Sequence, residues 1–437
     1  METSLIWFIT IAVILIIFIP YYRNFRKNLY KDKKRKEEAV RLGADRPMAQ
    51  FPQIDKFTCI GCGACVAACP EGDVLGIVAG KATVINGLKC VGHGRCAEAC
   101  PVEGIKIGLG DISKRDDIPY MDENQQTNIP GVFIAGELGG LALIRNAIDQ
   151  GRRVIDYIAA NKSNNMSTDI RDVIIVGAGP AGMSAALQAN AKGLSYKLID
   201  QQDAGGTILQ YPRKKLVMTK PVEIPLYGFL TKPEYSKEEL LEIWQDAASK
   251  FCLDFSKNEK LINIIQNNGD MNVITSLKTH SAKNVVLALG RRGSPRKLNV
   301  PGEEMPKVMY KLLDAESYQN EHILVVGGGD SAIEAAMGLA RQKGNTVTLS
   351  YRKDKFFRIK KRNEERINEF LSEKRIHVIF NSGLQEIKKN SVILSTTEGE
   401  KEIRNDYVFI FAGGEPPFGL LKKMGIRFGL PENAVVT

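Results

Sequence analysis

The sequence predicts an α/β chain: two Rossmann-like dinucleotide-binding units, preceded by a small α+β domain and one transmembrane helix. Three observations predict it. Two strand, glycine-turn and helix patterns begin at Asp172 and His322, a cysteine motif occurs twice between Cys59 and Cys100, and residues 5–19 hold a single polar side chain, Thr10. At 437 residues the chain has room for several domains with buried cores.

Leu5 to Ile19 reads LIWFITIAVILIIFI, and Pro20-Tyr21-Tyr22 extends it to the length of a short membrane span. Tyrosines at that end suit a membrane interface. A secretory leader has a basic start and a small-residue cleavage site, whereas this segment begins Met-Glu-Thr-Ser and runs straight into charge. Residues 1–22 are therefore expected to be a retained transmembrane anchor. From Arg23 to Arg46, ten Lys/Arg stand against four Asp/Glu, which supplies six of the formal net charge of +10. The positive-inside rule then places the body in the cytoplasm. The basic segment, 23–50, suits anionic lipid headgroups, and a solvated helical spacer is the equal alternative. Beside a membrane span, lipid is a simpler partner than nucleic acid, which is not expected.

Seven of the eight cysteines lie between Cys59 and Cys100, with only Cys252 apart. Clustering of this kind indicates a metal or cofactor site in a reducing compartment rather than a disulfide framework. Cys59, Cys62, Cys65 and Cys69, followed by Pro70, make C-x2-C-x2-C-x3-C-P. Cys90, His93, Cys96 and Cys100, followed by Pro101, repeat it with one imidazole in place of a thiolate. Three thiolates on a tight glycine-bearing loop can hold three corners of an iron–sulfur cube, with the fourth cysteine reaching a second cube. Paired cysteines also bind zinc, but a three-fold run ending in Cys-Pro favours iron and sulfide.

Over about sixty residues this block resembles the bacterial two-cluster ferredoxins. The resemblance implies a first 4Fe-4S cluster on Cys59, Cys62, Cys65 and Cys100. It implies a second on Cys90, Cys96 and Cys69, with His93 at the remaining corner. Three outcomes stay open for His93: ligation through a ring nitrogen, an empty corner giving a 3Fe-4S cluster, or a bystander beside a site closed otherwise. Replacing a thiolate by neutral imidazole removes negative charge and raises the reduction potential, as in Rieske centres.

After the polar linker NKSNNMSTD comes DVIIVGAGPAGMSAALQANAKGLSYKLID. Val173 to Val176 read as a buried strand, Gly177, Gly179 and Gly182 as the turn, and Met183 onward as a helix. The glycines let backbone approach a pyrophosphate at the helix N-terminus, and Asp200 at the end of the next strand is placed for a ribose hydroxyl. The second pattern, HILVVGGGDSAIEAAMGLARQKGNTVTLSYRK, carries Gly327, Gly329, Asp330, Ser331 and Ala332. Its next strand ends in Tyr351-Arg352-Lys353, with Arg358 close behind, where an acid would be expected for NADH. Cations there would bind a 2′-phosphate, so NADP is favoured over NAD.

Together the two patterns resemble the flavoprotein family of thioredoxin reductases and ferredoxin–NADP reductases of that type. The resemblance implies FAD on the first fold and the nicotinamide cofactor on the second. It also places Gly205, Gly206 and Thr207 in the turn beside the flavin. Thioredoxin reductases carry a redox C-x-x-C shortly before the second fingerprint, but those places here hold Tyr310 and Leu313, with the family aspartate kept as Asp314. Cys252 reads as a small buried hydrophobe, so disulfide reduction by the usual route is excluded.

Members of that family close the flavin site with a strand, a Gly-Asp pair and a long helix after the second fold. Here the matching segment, QQTNIPGVFIAGELGGLALIRNAIDQGRRVIDYIAAN, lies before the first fingerprint. The chain therefore looks circularly permuted, with a linker at Asn161 to Asp169. Gly136 and Glu137 stand in the cofactor-contacting pair, glutamate replacing aspartate, and the closing helix is expected to start near Gly139-Gly140.

The expected organisation is an anchor at 1–22, a basic segment at 23–50 and a ferredoxin-like domain at 51–112. A permuted closing segment at 113–162, an FAD domain at 163–292, an NAD(P) domain at 293–412 and a return to the FAD domain at 413–437 follow. The expected function is a membrane-anchored NAD(P)H-dependent flavin and iron–sulfur oxidoreductase. No side chain is expected to act as nucleophile or general acid. Expected partners are NAD(P)H, an electron-transfer protein or small redox substrate, the membrane, and as an open reading a second copy of the chain. Two alternatives are a low-molecular-weight disulfide reductase of the bacillithiol type and a redox-sensing or scaffold subunit.

Overall fold

A computed structural model describes residues 2–45, 50–109, 117–139, 143–162, 170–213, 215–218, 221–232, 234–267, 269–291 and 293–429. The chain divides into two units, one of Met1–Gly110 with Phe357–Glu365 and one of Asp111–Phe356 with Arg366–Thr437.

In the first unit, helix α1 runs unbroken over Glu2–Leu42 with Pro20 inside it. The change at residue 22 is thus one of chemistry and not of backbone. Among the described residues no helix is long and apolar enough to cross a membrane. The separate transmembrane helix expected over 1–22 is not supported, because the apolar turns continue directly into a basic stretch of the same helix. That basic stretch docks on protein. The Asp32 carboxylate accepts the Ile77 N–H at 2.8 Å, Arg35 pairs with Asp73 at 2.6 Å, and Lys36 donates to the Val84 carbonyl at 2.8 Å. Arg35 and Lys36 are therefore engaged internally, while Arg23, Arg26, Lys27, Lys33 and Lys34 stay exposed.

The cysteine block is built as the duplication requires. Strands β1 (Gln50–Ile54), β2 (Leu75–Val78), β3 (Lys81–Val84) and β4 (Ile105–Leu109) form two antiparallel pairs, β1 with β4 and β2 with β3. Each cysteine loop ends in one helical turn, α2 (Ala64–Ala67) or α3 (Arg95–Glu98), entered through a left-handed glycine, Gly63 or Gly94, at φ 79° and 84°. A side chain at either glycine would be strained, so the repeat in sequence is a repeat in backbone. Cys65 and Cys96 are buried with Val74, Leu75, Ala82 and Ile105.

The second unit holds two main sheets, the first mixed, with its last three strands antiparallel, and the second parallel. The first contains β5 (Val132–Ile134), β6 (Arg171–Val176), β7 (Tyr196–Ile199), β8 (Phe255–Ser256), β9 (Leu261–Asn267), β10 (Asp270–Thr275) and β11 (Thr279–Leu287). Their order is β8-β7-β6-β11-β10-β9. The segment preceding the first fingerprint joins this sheet: β5 pairs parallel with β11, Val132 to Ile134 opposite Val285 to Leu287. Helix α4 (Ile144–Ala160) then packs on α5 (Pro180–Ala191), burying Ile148 and Ile155 with Met183 and Leu187. Alternate residues of β6 face opposite layers, as the strand period dictates. Val173 and Ile175 meet the helices, whereas Ile174 and Val176 meet Leu421, Met424 and Ile426. Residues after the second fold thus return to the first, as the permuted order requires.

The second sheet is β12 (Val308–Met309), β13 (His322–Val326), β14 (Thr346–Tyr351), β15 (Ile376–Phe380) and β16 (Tyr407–Ile410), in the order β12-β16-β13-β14-β15. All its pairings are parallel. Helix α6 (Asp330–Ala340) follows β13 directly. Both sheets present their glycine turns at the carboxyl end of a central strand, where open α/β sheets bind ligands.

Candidate functional site

The first turn joins β6 to α5, and its glycines are forced by close approach. Gly177 has φ 107°, and a Cβ there would lie 2.4 Å from the Ala288 carbonyl oxygen. A Cβ on Gly182 would come within 1.7 Å of the Gly177 oxygen. The Gly205-Gly206 turn meets the same place: Gly205 N–H donates to the Ala178 carbonyl at 2.8 Å, and a Cβ on Gly206 would lie 2.8 Å from the Gly179 Cα. Gly177, Gly179, Gly182, Gly205 and Gly206 therefore form one bare backbone cradle of the kind a pyrophosphate needs, with Thr207 following Gly206 in the adjoining turn of 3-10 helix. Asp200 stands beside it. One carboxylate oxygen accepts the Ala178 N–H at 2.6 Å and the other the Gln202 N–H at 2.7 Å. Burial pushes this carboxyl up from its ordinary value against those two donors. Its remaining lone pairs can still accept from a ribose hydroxyl.

The transposed segment reaches the cradle. Gly136 has φ 88°, its N–H donates to Gln150 Oε1 at 2.7 Å, and a Cβ would lie 3.1 Å from that of Ala181. Glu137 is half-buried and begins a turn of 3-10 helix, Glu137–Gly139. The α4 helix itself starts at Ile144 rather than near Gly139-Gly140, because the chain first makes that tighter turn; Gly140 lies outside the described residues. Gln150 is a residue that the sequence reading missed. Its signal was faint, a single glutamine nearly two turns into the helix.

At the second turn, Gly327 has φ 144° and a Cβ would lie 2.7 Å from the Phe411 carbonyl and 3.1 Å from Ala332. Nothing crowds Gly329. Asp330 and Ser331 begin α6, Ser331 exposed. Tyr351 ends β14 buried, its ring so close to Gly328 that a Cβ there would lie 2.1 Å from it. Arg352 and Lys353 follow it, both exposed; Arg358, also exposed, belongs to the first unit.

The dithiol places hold no sulfur. The Tyr310 hydroxyl donates to Glu303 at 2.8 Å and is pushed up to about 12 by burial and that carboxylate. Leu313 is exposed, and Asp314 pairs with Arg213 at 3.2 Å. The expectation that Cys252 is buried is corrected: the chain leaves helix Lys237–Lys250 and takes φ 47° at Cys252, which leaves the residue exposed.

In the first unit, Cys59, Cys62, Cys65 and Cys100 line one cavity. Cys69, Cys90, His93 and Cys96 line another. The two linings group these residues in the sets that the ferredoxin resemblance implies for ligands, with Cys100 and Cys69 each lying beside the other copy's residues. Among the described residues no three His, Cys, Asp or Glu groups converge as a grip on one metal ion. Burial pushes the Cys65 and Cys96 thiols up to about 11, and raises those of Cys69 and Cys90. Binding of a metal or cluster to these thiols as thiolates would release their protons. One backbone donor already faces sulfur, Ala82 N–H to Cys59 Sγ at 3.4 Å.

Comparison with known proteins agrees with both halves. Residues 174–435 match the family of pyridine nucleotide-disulphide oxidoreductases, and residues 51–101 match the 4Fe-4S dicluster domain. The chain is 29% identical to a ferredoxin–NADP reductase of Ignicoccus hospitalis over 270 residues, 59% of this chain and 82% of the relative. It is 31% identical to a thioredoxin reductase of Listeria innocua, over 59% of this chain and 78% of the relative. Among solved structures, bacillithiol disulfide reductase Bdr from Bacillus cereus superposes with a TM-score of 0.55 at 25% identity, covering 60% of this chain and 83% of that one. With two glycine turns between parallel strands and helices and two cysteine-lined cavities, the chain belongs to the pyridine nucleotide-disulphide oxidoreductase family, as an NAD(P)H-dependent flavin oxidoreductase fused to a dicluster ferredoxin domain.

Proposed function

We propose that the protein passes electrons between NADPH, FAD and two iron–sulfur clusters, and through the clusters to or from an external electron-transfer protein or small redox substrate. One observation carries this: two cavities, each lined by four Cys or His side chains, accompany a flavoprotein fold whose dithiol places hold Tyr310 and Leu313. Flavin, when bound, supplies the conversion between two-electron nicotinamide and one-electron cluster chemistry. The chain supplies position and field. Gly177, Gly179, Gly182 and Asp200 would hold the FAD pyrophosphate and ribose, with Gly136, Glu137 and the Gly205-Gly206-Thr207 turn closing the site. Gly327, Gly329, Asp330, Ser331 and Ala332 would seat the nicotinamide cofactor. Cys59, Cys62, Cys65 and Cys100 would ligate the first cluster, and Cys69, Cys90, His93 and Cys96 the second.

Arg352 and Lys353 would select NADPH by pairing with its 2′-phosphate. Charged hydrogen bonds of this kind contribute about 1.5–3 kcal/mol each. Arg352→Ala is therefore expected to raise KM for NADPH about tenfold or more and to leave NADH kinetics unchanged. Equal loss with both cofactors would contradict the assignment.

The apolar part of α1 is proposed to associate with a membrane. Trp7, Phe8, Ile16 and Ile17 are between 67% and 73% exposed on a helix with apolar residues on every side, an arrangement that water disfavours. A variant lacking residues 2–22 is expected to lose sedimentation with membranes, whereas the full chain keeps it through a high-salt wash. Identical fractionation of the two would exclude the anchor.

Reduction of a low-molecular-weight disulfide is the second reading, favoured by the likeness to bacillithiol disulfide reductase. Steady-state NADPH oxidation separates the two. With a one-electron dye as acceptor, turnover that depends on the cluster cysteines supports the electron-transfer reading; disulfide reduction that survives their loss supports the other.

A further inference from the structure

We propose that Glu71 is a positioning residue for the second cluster: its carboxylate faces Nε2 of His93 within ion-pair range and so orients the ring, and Nδ1 would be the nitrogen left free for iron. The proposal rests on the reading that this cavity lodges an iron–sulfur cluster. Glu71 follows Cys69-Pro70, lines the second cavity and is only 8% exposed. Its Oε1 lies 3.8 Å from His93 Nε2 and 3.5 Å from Lys360 Nζ. Lys360 belongs to the Phe357–Glu365 segment, which forms part of the same unit.

A nearly buried carboxylate beside anionic thiolates is costly, so its retention calls for a cationic or donating partner. Imidazole provides one. A ligating histidine commonly gives its second ring N–H to a carboxylate, which fixes the tautomer and raises the basicity of the ligating nitrogen. The duplication supplies an internal control. The first cavity has Cys62 where the second has His93, and the residue two places past its exchanged cysteine is Val102 rather than Glu71. The acid thus accompanies the imidazole and is missing from the all-cysteine copy. Lys360 balances the charge that Glu71 brings.

The opposed charges of Glu71 and Lys360 give a test with a sign. In full-length protein labelled with 15N-histidine, pulsed EPR of the reduced second cluster is expected to show 15N coupling. Glu71→Gln removes a negative charge and weakens the imidazole as a donor, so the second cluster's midpoint potential should rise and the coupling should change. Lys360→Gln should move the same potential down, and neither variant should move the first cluster. Absence of 15N coupling in the wild type would overturn the proposal, as would an unchanged coupling and potential in both variants. Absence of iron, sulfide and cluster EPR signals from the wild type would overturn the cluster reading together with it, whereas full cluster content without 15N coupling overturns the Glu71–His93 inference alone.

Discussion

Cys65→Ser is expected to remove the first cluster and leave the flavin in place. Cys65 is buried, lines the first cavity and sits in the interior of the cysteine block with Val74, Leu75 and Ala82. Serine offers a hard, poorly acidic oxygen where a soft thiolate is needed. Iron and sulfide content should fall by about half, as expected when one of two clusters is lost. NADPH should still bleach the flavin, because the glycine cradle lies in the other unit. Reduction of a one-electron acceptor should fall towards background. Cys252→Ser, far from either ligand set in sequence and exposed, should change none of these values. Equal loss of flavin in Cys65→Ser would contradict the separation of the two sites.

Gly151→Val is expected to split the transposed helix from the fold that it completes. A Cβ on Gly151 would lie 2.1 Å from the Ala181 carbonyl oxygen and 3.1 Å from the Ala185 nitrogen, both backbone atoms of α5 that cannot swing aside. The two helices must then separate, opening the layer that buries Ile148, Ile155, Met183 and Leu187. Overpacking of this kind costs about 1–3 kcal/mol, and a clash with backbone belongs at the upper end. The Ser184 hydroxyl, which donates to the Ile148 carbonyl at 2.7 Å, loses its acceptor as well. Thermal unfolding should come at a lower temperature and FAD should be released on gel filtration. Retention of FAD with unchanged stability would show that α4 is only a linker helix.

Legibility in the sequence followed the range of the physics. Cysteine spacing and the glycine turns are local constraints: three thiols reach one cavity because they share a loop, and Gly182 is glycine because Gly177 lies one turn away. The transposed β5 and α4 were legible because their pattern matched a missing piece, and their pairing with β11 and α5 follows. Side-chain facing was less legible. Cys252 reads as apolar from composition alone, yet a left-handed backbone at the helix end leaves it exposed. The Glu71–Lys360 pair joins residues far apart in sequence, and no local pattern announces it. Likewise α1 changes from apolar to basic without a break, since helix propensity is indifferent to the solvent that each half meets.

Anaerobic titration with NADPH, followed by optical and EPR spectra of the full-length protein, tests the central claim most directly. The expected result is bleaching of flavin absorbance with the appearance of cluster EPR signals. The second, histidine-bearing site should accept electrons before the first, because an imidazole in place of thiolate raises the potential. Flavin bleaching with clusters that stay oxidised, and that no added one-electron carrier can link to the flavin, would contradict electron transfer through the cysteine-lined sites.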